Sequence, residues 1–334
     1  MTDTLLEVKD LTVDFHTHGG TVEAVRGVSF SVARGETLAI VGESGCGKSV
    51  SMQALLGLIP MPPGVIRRGS AQLLDTALLP HRPATLNAVR GKRVGMIFQD
   101  PMSALNPTMR IGDQIAETLR VHQGLSRSAA AQRAVALLEE VRIPEAATRA
   151  RQYPFEFSGG MLQRAMIAMA IACGPELLIA DEPTTALDVT IQAQILDLLR
   201  KLQEEKGMAI ILITHDLGVV AQMAHRVAVM YAGEIVETAA VETLFAHSAH
   251  PYTQGLRRAT PSNQPGAAQV LTPIEGSPPD LFAPPKGCAY AARCPQAMAR
   301  CTREAPPEFS PSPAHAARCW RLHPQAPAQD TAPG

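Results

Sequence analysis

Residues 42–49 read GESGCGKS and match G-x-x-x-x-G-K-[ST] at every fixed position. Such a stretch suits the binding of a polyphosphate, in which successive backbone N–H groups wrap the anion, a lysine reaches its outer oxygens, and a hydroxyl ligates a divalent cation. Gly42 opens the loop, the N–H groups of Ser44, Gly45, Cys46, Gly47, Lys48 and Ser49 form its cradle, and the Ser49 hydroxyl is the Mg2+ ligand. Cys46 fills a free position of the motif, where a modified thiol would collide with nucleotide. LLIADE (177–182) is an apolar run that ends in two carboxylates, the place on an open α/β sheet where ligands collect. There Asp181 would hold Mg2+, and Glu182 would orient and deprotonate an attacking water. His215 closes AIILIT and could hydrogen-bond a γ-phosphate; Gln99, in MIFQDP, could contact Mg2+ or the lytic water. Alone, two acids at a strand end are a solvated turn, and a single histidine or glutamine means little. The motif at 42–49 gives them a common purpose.

A third stretch, FSGGMLQR (157–164), puts Ser158, Gly159 and Gly160 ahead of a long apolar helix. Glycine is a poor helix former, so the pair needs a reason. Either Ser158 simply caps the helix, or a bare helix start with free N–H groups and a positive dipole end is aimed at an anion.

These groups need a scaffold. From Leu5 to about Ala246 short β-branched strands alternate with amphipathic helices, the pattern of an α/β fold with a largely parallel sheet. TLAIV (37–41), LLIA (177–180) and AIILIT (209–214) read as buried strands, the first followed by the Gly-rich loop and a helix ending near Ile59 and Pro60. Residues 105–156, rich in Ala, Gln, Arg and Glu at helical spacing, read as an inserted helical subdomain, drawn in full at about 103–174. The expected organisation is an ATPase domain over residues 1–250 and, over 251–334, a Pro-rich extension with little regular structure of its own. In the ILDLLRKL region Ile191, Ile195, Leu198 and Leu202 share one helix face, which is core packing.

Bulk composition narrows the partners. The 334 residues carry 30 basic and 31 acidic side chains, without the basic excess of a protein that grips nucleic-acid backbone, so no nucleic-acid partner is expected. No run of about 18 apolar residues offers a membrane span, and MTDTLLEVKD lacks a signal-peptide pattern. A cytoplasmic setting is expected, where the six cysteines would be free or metal-bound rather than disulfide-bonded.

Taken in order, these motifs resemble the ATP-binding subunit of an ABC transporter. FQDPMSALNP, FSGGM, MAIACGPELLIADEPTTALDVTIQAQI and HPYT resemble the dipeptide and oligopeptide permease branch in particular. The resemblance covers almost the whole chain. It implies a P-loop NTPase of ABC type, an ATPase that couples ATP binding and hydrolysis to peptide import. Gln99 matches the loop that senses the membrane partner, TALD (185–188) the loop crossing the dimer interface, and His215 the switch histidine. Phe15, in VDFHTHGG, falls where the family stacks an aromatic on adenine, although a strand-end phenylalanine could equally be core. The Ser-Gly-Gly signature of one subunit closes over ATP held by the other. The usual signature is Leu-Ser-Gly-Gly-Gln; here Phe157 and Met161 stand at the outer positions, while the donors Ser158, Gly159 and Gly160 remain.

The implied partners are a second ABC ATPase subunit, homologous and in this branch usually a different chain, two transmembrane permease subunits and, indirectly, an extracytoplasmic peptide-binding protein. The implied location is peripheral, on the cytoplasmic face of the bacterial inner membrane. Relatives in the branch carry nickel, glutathione or sugars, so other solutes stay open. A soluble ABC ATPase of DNA repair would need a long coiled-coil insertion, and one of translation a second cassette; neither is present. A regulatory module sensing nucleotide and redox state is a further alternative, against which Glu182 and His215 favour turnover.

Cys288, Cys294, Cys301 and Cys319 are separated by five, six and seventeen residues and lack C-x-x-C pairs, so their spacing alone leaves metal, zinc included, and free thiols open. The family resemblance implies a four-iron four-sulfur (4Fe-4S) cluster on these four cysteines. Four thiolates on one centre would staple an extension too poor in apolar residues to fold unaided.

Overall fold

The computed structural model describes residues 3–185, 187–260 and 272–326. Its strands are β1 (Thr4–Thr17), β2 (Gly20–Ala33), β3 (Thr37–Val41), β4 (Gly64–Leu73), β5 (Thr76–Ala77), β6 (Val94–Ile97), β7 (Leu177–Asp181), β8 (Ala209–Thr214), β9 (Arg226–Tyr231), β10 (Glu234–Ala240), β11 (Phe309–Ser312) and β12 (His315–Ala317). They form an antiparallel sheet of order β2-β1-β4-β5 and a larger sheet of order β11-β12-β10-β9-β3-β8-β7-β6. In the larger sheet β6, β7, β8, β3 and β9 run parallel.

Both faces of the parallel strands are covered, which is why they read as unbroken apolar runs rather than alternating ones. Ile179, Ile211, Ile213 and Leu38 point into a core shared with the antiparallel sheet. Leu178, Ala180, Ile210 and Leu212 point the other way, into a core shared with the helices that precede β7. Those helices are Pro101–Ala104, Ile111–Gln123, Arg127–Glu140, Ala146–Arg149 and Gly159–Ile171, in the region expected to hold a helical insertion. Helix Val189–Lys206 buries Ile195, Leu198 and Leu202 and half-buries Ile191, the face expected from spacing. The helix after the phosphate loop is shorter than expected, ending at Leu55 rather than near Ile59, because Gly57 turns the chain out with a φ of +59°.

The strand order does the positioning. β3, β8, β7 and β6 lie side by side and parallel, so their carboxyl ends deliver residues 42–49, His215, Asp181 with Glu182, and Gln99 in one row.

The C-terminal extension is more regular than its proline-rich composition suggests. β12 pairs with β10 through Glu237 opposite Ala317, and β11 pairs with β12, so the extension lengthens the central sheet. A third core joins Tyr252 and Tyr290 to Val41, Val229 and Tyr231. The extension reaches β2 as well, where the Glu23 N–H donates to the Leu281 carbonyl at 2.9 Å. Burial of Glu237 fixes the docking. Its carboxyl accepts the backbone N–H of Ala249 at 2.6 Å and of His250 at 2.9 Å, and meets His315 Nε2 at 2.8 Å. Glu237 and His315 are almost fully buried, so neither can trade this contact for water.

Glu237→Ala would strand two N–H groups and an imidazole in an apolar setting. The unfolding free energy of the full chain is expected to fall by about 3 kcal/mol in urea titration.

Candidate active site

The phosphate loop leaves β3 at Val41 and enters helix Lys48–Leu55. A Cβ on Gly42 would run into the Met230 carbonyl oxygen of β9, and one on Gly47, whose φ is +101°, into the Ala24 carbonyl oxygen. Glycine is required at both places, by close backbone approach and, at Gly47, by a left-handed backbone as well. Lys48 is buried, and its ammonium donates to the Gly42 carbonyl at 2.8 Å and the Glu43 carbonyl at 2.9 Å. Cys46 is buried as well, 3.8 Å from that ammonium; burial pushes its thiol pKa up against the pull of Lys48, so it packs as a small apolar filler.

Ser49 ties the loop to the end of β7, its hydroxyl donating to Asp181 Oδ1 at 2.8 Å. Burial pushes the Asp181 carboxyl pKa up; the Ser49 bond pulls it down, Glu182 adds to the rise, and Lys48 opposes it. A serine hydroxyl and a buried carboxylate oxygen are hard donors of the type Mg2+ prefers, so the pair fits that cation. Glu182 follows with φ +47°, a left-handed conformation that costs a non-glycine residue energy. The twist is held by its own N–H, which donates to the Ile213 carbonyl of β8 at 2.9 Å. Three side chains converge on the carboxylate. Gln99 Nε2 donates to Oε2 at 3.0 Å, the Thr185 hydroxyl donates to Oε2 at 2.8 Å, and His215 Nδ1 lies 3.4 Å from Oε1. The structure thus brings together Lys48, Ser49, Asp181, Glu182, Gln99 and His215. It adds a contact from Thr185, which the sequence offered only as the first residue of TALD and not as a partner of Glu182.

Ser158, Gly159 and Gly160 stand elsewhere, at the start of helix Gly159–Ile171. Ser158 is the N-cap by position, yet its side chain makes no capping hydrogen bond, and Ser158 and Gly159 are exposed. Plain capping therefore does not account for the serine. Within the chain this helix start lies against the interface-loop region: a Cβ on Gly159 would stand 3.9 Å from Leu187, and one on Gly160 3.0 Å from Ile191. Of TALD, Ala186 lies outside the described residues. Phe15 is half-buried at the end of β1, opposite Val22 and Gly64, with its ring packed towards Gly64 and the adjoining core.

The four C-terminal cysteines gather in one region. Burial pushes the thiol pKa of Cys288 up to about 11 and of Cys319 up to about 12, and the neighbouring cysteines add to both. Cys294 is raised by burial and by Cys301, and the Cys288 N–H donates to the Cys301 carbonyl at 2.7 Å. Among the described residues no three His, Cys, Asp or Glu side chains are arranged to hold a metal ion. Nor is any helix among the described residues long and apolar enough to cross a membrane.

Comparison with known proteins agrees with this geometry. The family described as ABC transporter matches residues 25–185. The fold is shared with the dimeric ATP-binding cassette MJ0796 in a post-hydrolysis state bound to ADP and Pi, at a TM-score of 0.63 and 26% identity over 71% of this chain and 98% of that one. Fold and site together define an ABC-type ATPase. The family described as oligopeptide/dipeptide transporter, C-terminal region, matches residues 236–301. The oligopeptide transport ATP-binding protein OppD of Bacillus subtilis is 56% identical over 97% of this chain and 90% of its own length. The dipeptide transport ATP-binding protein DppD of the same organism is 51% identical over 95% and 94%, and OppD of Salmonella typhimurium 49% over 95% and 93%. The chain belongs to the ATP-binding subunits of the oligopeptide and dipeptide ABC transporters.

Gly42→Ala places a methyl against a main-chain carbonyl that β9 cannot surrender. A loss of about 1–3 kcal/mol in thermal unfolding, together with weakened ATP binding by calorimetry, is expected.

Proposed function

We propose that this chain is the ATP-hydrolysing subunit of a peptide importer, and that residues 42–49, 99, 181, 182 and 215 are its catalytic site. The observation that carries this reading is the convergence of Gln99, Thr185 and His215 on Glu182, next to an Asp181 already bonded to Ser49. Lys48 and the loop N–H groups bind the triphosphate. Ser49, Asp181 and Gln99 would hold Mg2+, which when bound would neutralise phosphate charge. Glu182 takes the proton of the attacking water, Gln99 and Thr185 aim its carboxylate, and His215 steadies the γ-phosphate. Phe15 stacks on the adenine.

The exposed Ser158 start serves a facing subunit. Its free N–H groups and those of Gly159 and Gly160 close on ATP held by that subunit's phosphate loop, and the reverse pairing completes the second site. The facing subunit is a homologous ATPase, a different chain in this reading. Closure drives two transmembrane permeases through the helical insertion, and hydrolysis resets the pair. An extracytoplasmic binding protein delivers dipeptides or oligopeptides, and the ATPase sits on the cytoplasmic face of the membrane. The division at residue 250 then separates the ATPase domain from an extension whose role is stability or regulation.

The extension is read as the seat of a 4Fe-4S cluster on Cys288, Cys294, Cys301 and Cys319. Their grouping supports this; binding a cluster would require thiolates, so Cys288 and Cys319, whose burial raises their pKa, would give up protons. When bound, the cluster would cross-link the extension.

Glu182→Gln is expected to retain ATP binding, to trap a closed ATPase pair and to lower steady-state hydrolysis by about a hundredfold or more. Wild-type turnover in that variant, measured in the assembled transporter, would remove Glu182 from the role of base. Anaerobically purified Cys294→Ser chain should lack the iron and the brown absorbance of the wild type. Equal iron in both would remove the cluster from these cysteines.

A further inference from the structure

Arg293, from the cysteine-bearing extension, lies only 6% exposed, and its guanidinium is committed at every N–H. Nη1 donates to Glu43 Oε2 at 2.8 Å and to the Tyr231 hydroxyl at 3.2 Å; Nη2 donates to Glu43 Oε1 at 3.1 Å and to the Ile274 carbonyl at 3.3 Å; Nε donates to the Glu275 carbonyl at 3.0 Å. The contact with Glu43 is the two-pronged fork that arginine makes and lysine cannot.

Glu43 is the second residue of the phosphate loop, and each of its polar groups is engaged by a different neighbour. The carboxylate is on Arg293, the carbonyl accepts from Lys48 at 2.9 Å, and the N–H donates to the Tyr252 hydroxyl at 2.9 Å. Tyr252 belongs to HPYT, and the structure explains that tetrad. His250, which burial keeps neutral with a pKa pushed down to about 3, accepts the Tyr252 N–H on Nδ1 at 3.0 Å, and Pro251 starts the helix that carries the tyrosine. Tyr231, Tyr252 and Tyr290 pack ring against ring, with centroids 4.5–5.4 Å apart, in the seam between the extension and the loop.

We propose that Arg293 is a positioning residue for ATP binding: from the extension it holds Glu43, and with Tyr252 it sets the backbone from which Lys48 and the cradle work. The inference rests on residues 42–49 being the ATP site. A loop left to itself must lose conformational freedom when phosphate binds, whereas a loop held from outside has already lost it. The extension is therefore part of the nucleotide site in cis, through a contact made by an arginine next to Cys294.

The test is calorimetric titration of the full-length chain with Mg-ATP. Arg293→Gln and Glu43→Gln are each expected to weaken binding by about five- to tenfold, and the double variant by no more than either single one, since both remove the same fork. Arg293→Lys, which keeps the charge and loses the fork, should fall between. His315→Gln loosens the docking of the extension at Glu237 without touching Arg293, Glu43 or Tyr252; it should lower the unfolding midpoint and leave ATP affinity unchanged. Binding by Arg293→Gln within twofold of wild type would overturn the proposal, as would an equal loss in His315→Gln, which would mean that docking alone matters. If Arg293→Gln does not fold, Glu43→Gln decides on the same criterion from the loop side. Absence of Mg-ATP binding in the wild type would overturn the reading of residues 42–49 and this inference with it.

Discussion

Everything at the site depends on one short hydrogen bond between elements far apart in sequence, from the Ser49 hydroxyl to the buried Asp181 carboxylate. Ser49 belongs to the helix after β3 and Asp181 closes β7, with β8 between those strands in the sheet. The bond can exist only because parallel strands in that order end level with one another. The same arrangement places Glu182 one residue beyond, His215 at the end of the intervening strand and Gln99 after the neighbouring one. The helical insertion before β7 and the antiparallel sheet each cover one face of this parallel core, so the strand interiors are apolar and the candidate site residues collect at the carboxyl edge.

The second organising element is the seam of tyrosines between the phosphate loop and the extension. Composition suggested an appendage there. Instead β12 hydrogen-bonds to β10, Glu237 and His315 lock the far end, and Arg293 and Tyr252 reach the loop itself. A proline-rich segment with few large apolar residues is ordered here by specific polar contacts with the cassette together with the core around Tyr252 and Tyr290.

Much of the cassette was legible in sequence, for identifiable reasons. Residues 42–49 have fixed spacing because the cradle is local, and the buried strands announce themselves as apolar runs. Glu182 and His215 could be assigned because each closes such a run. Thr185 was legible only as part of TALD; its contact with Glu182, made beside a left-handed turn, is signalled by no pattern. Arg293 and Glu43 were beyond reach for another reason: 250 residues separate the partners, and in composition each is an ordinary surface charge. The hairpin of β11 and β12 escaped because its strands are four and three residues long, too short for periodicity to register. Ser158 by itself read equally as cap or anion site; the structure shows only that its side chain makes no cap bond, and its role towards a facing subunit comes from the family resemblance.

The left-handed backbone at Glu182 has a consequence for how this protein can change over time. A glycine there would relieve the left-handed strain but remove the carboxylate on which Gln99, Thr185 and His215 converge. In the role proposed for Glu182, ease of backbone conformation and need for a carboxylate make opposing demands on one residue, and the chain meets the second at the expense of the first.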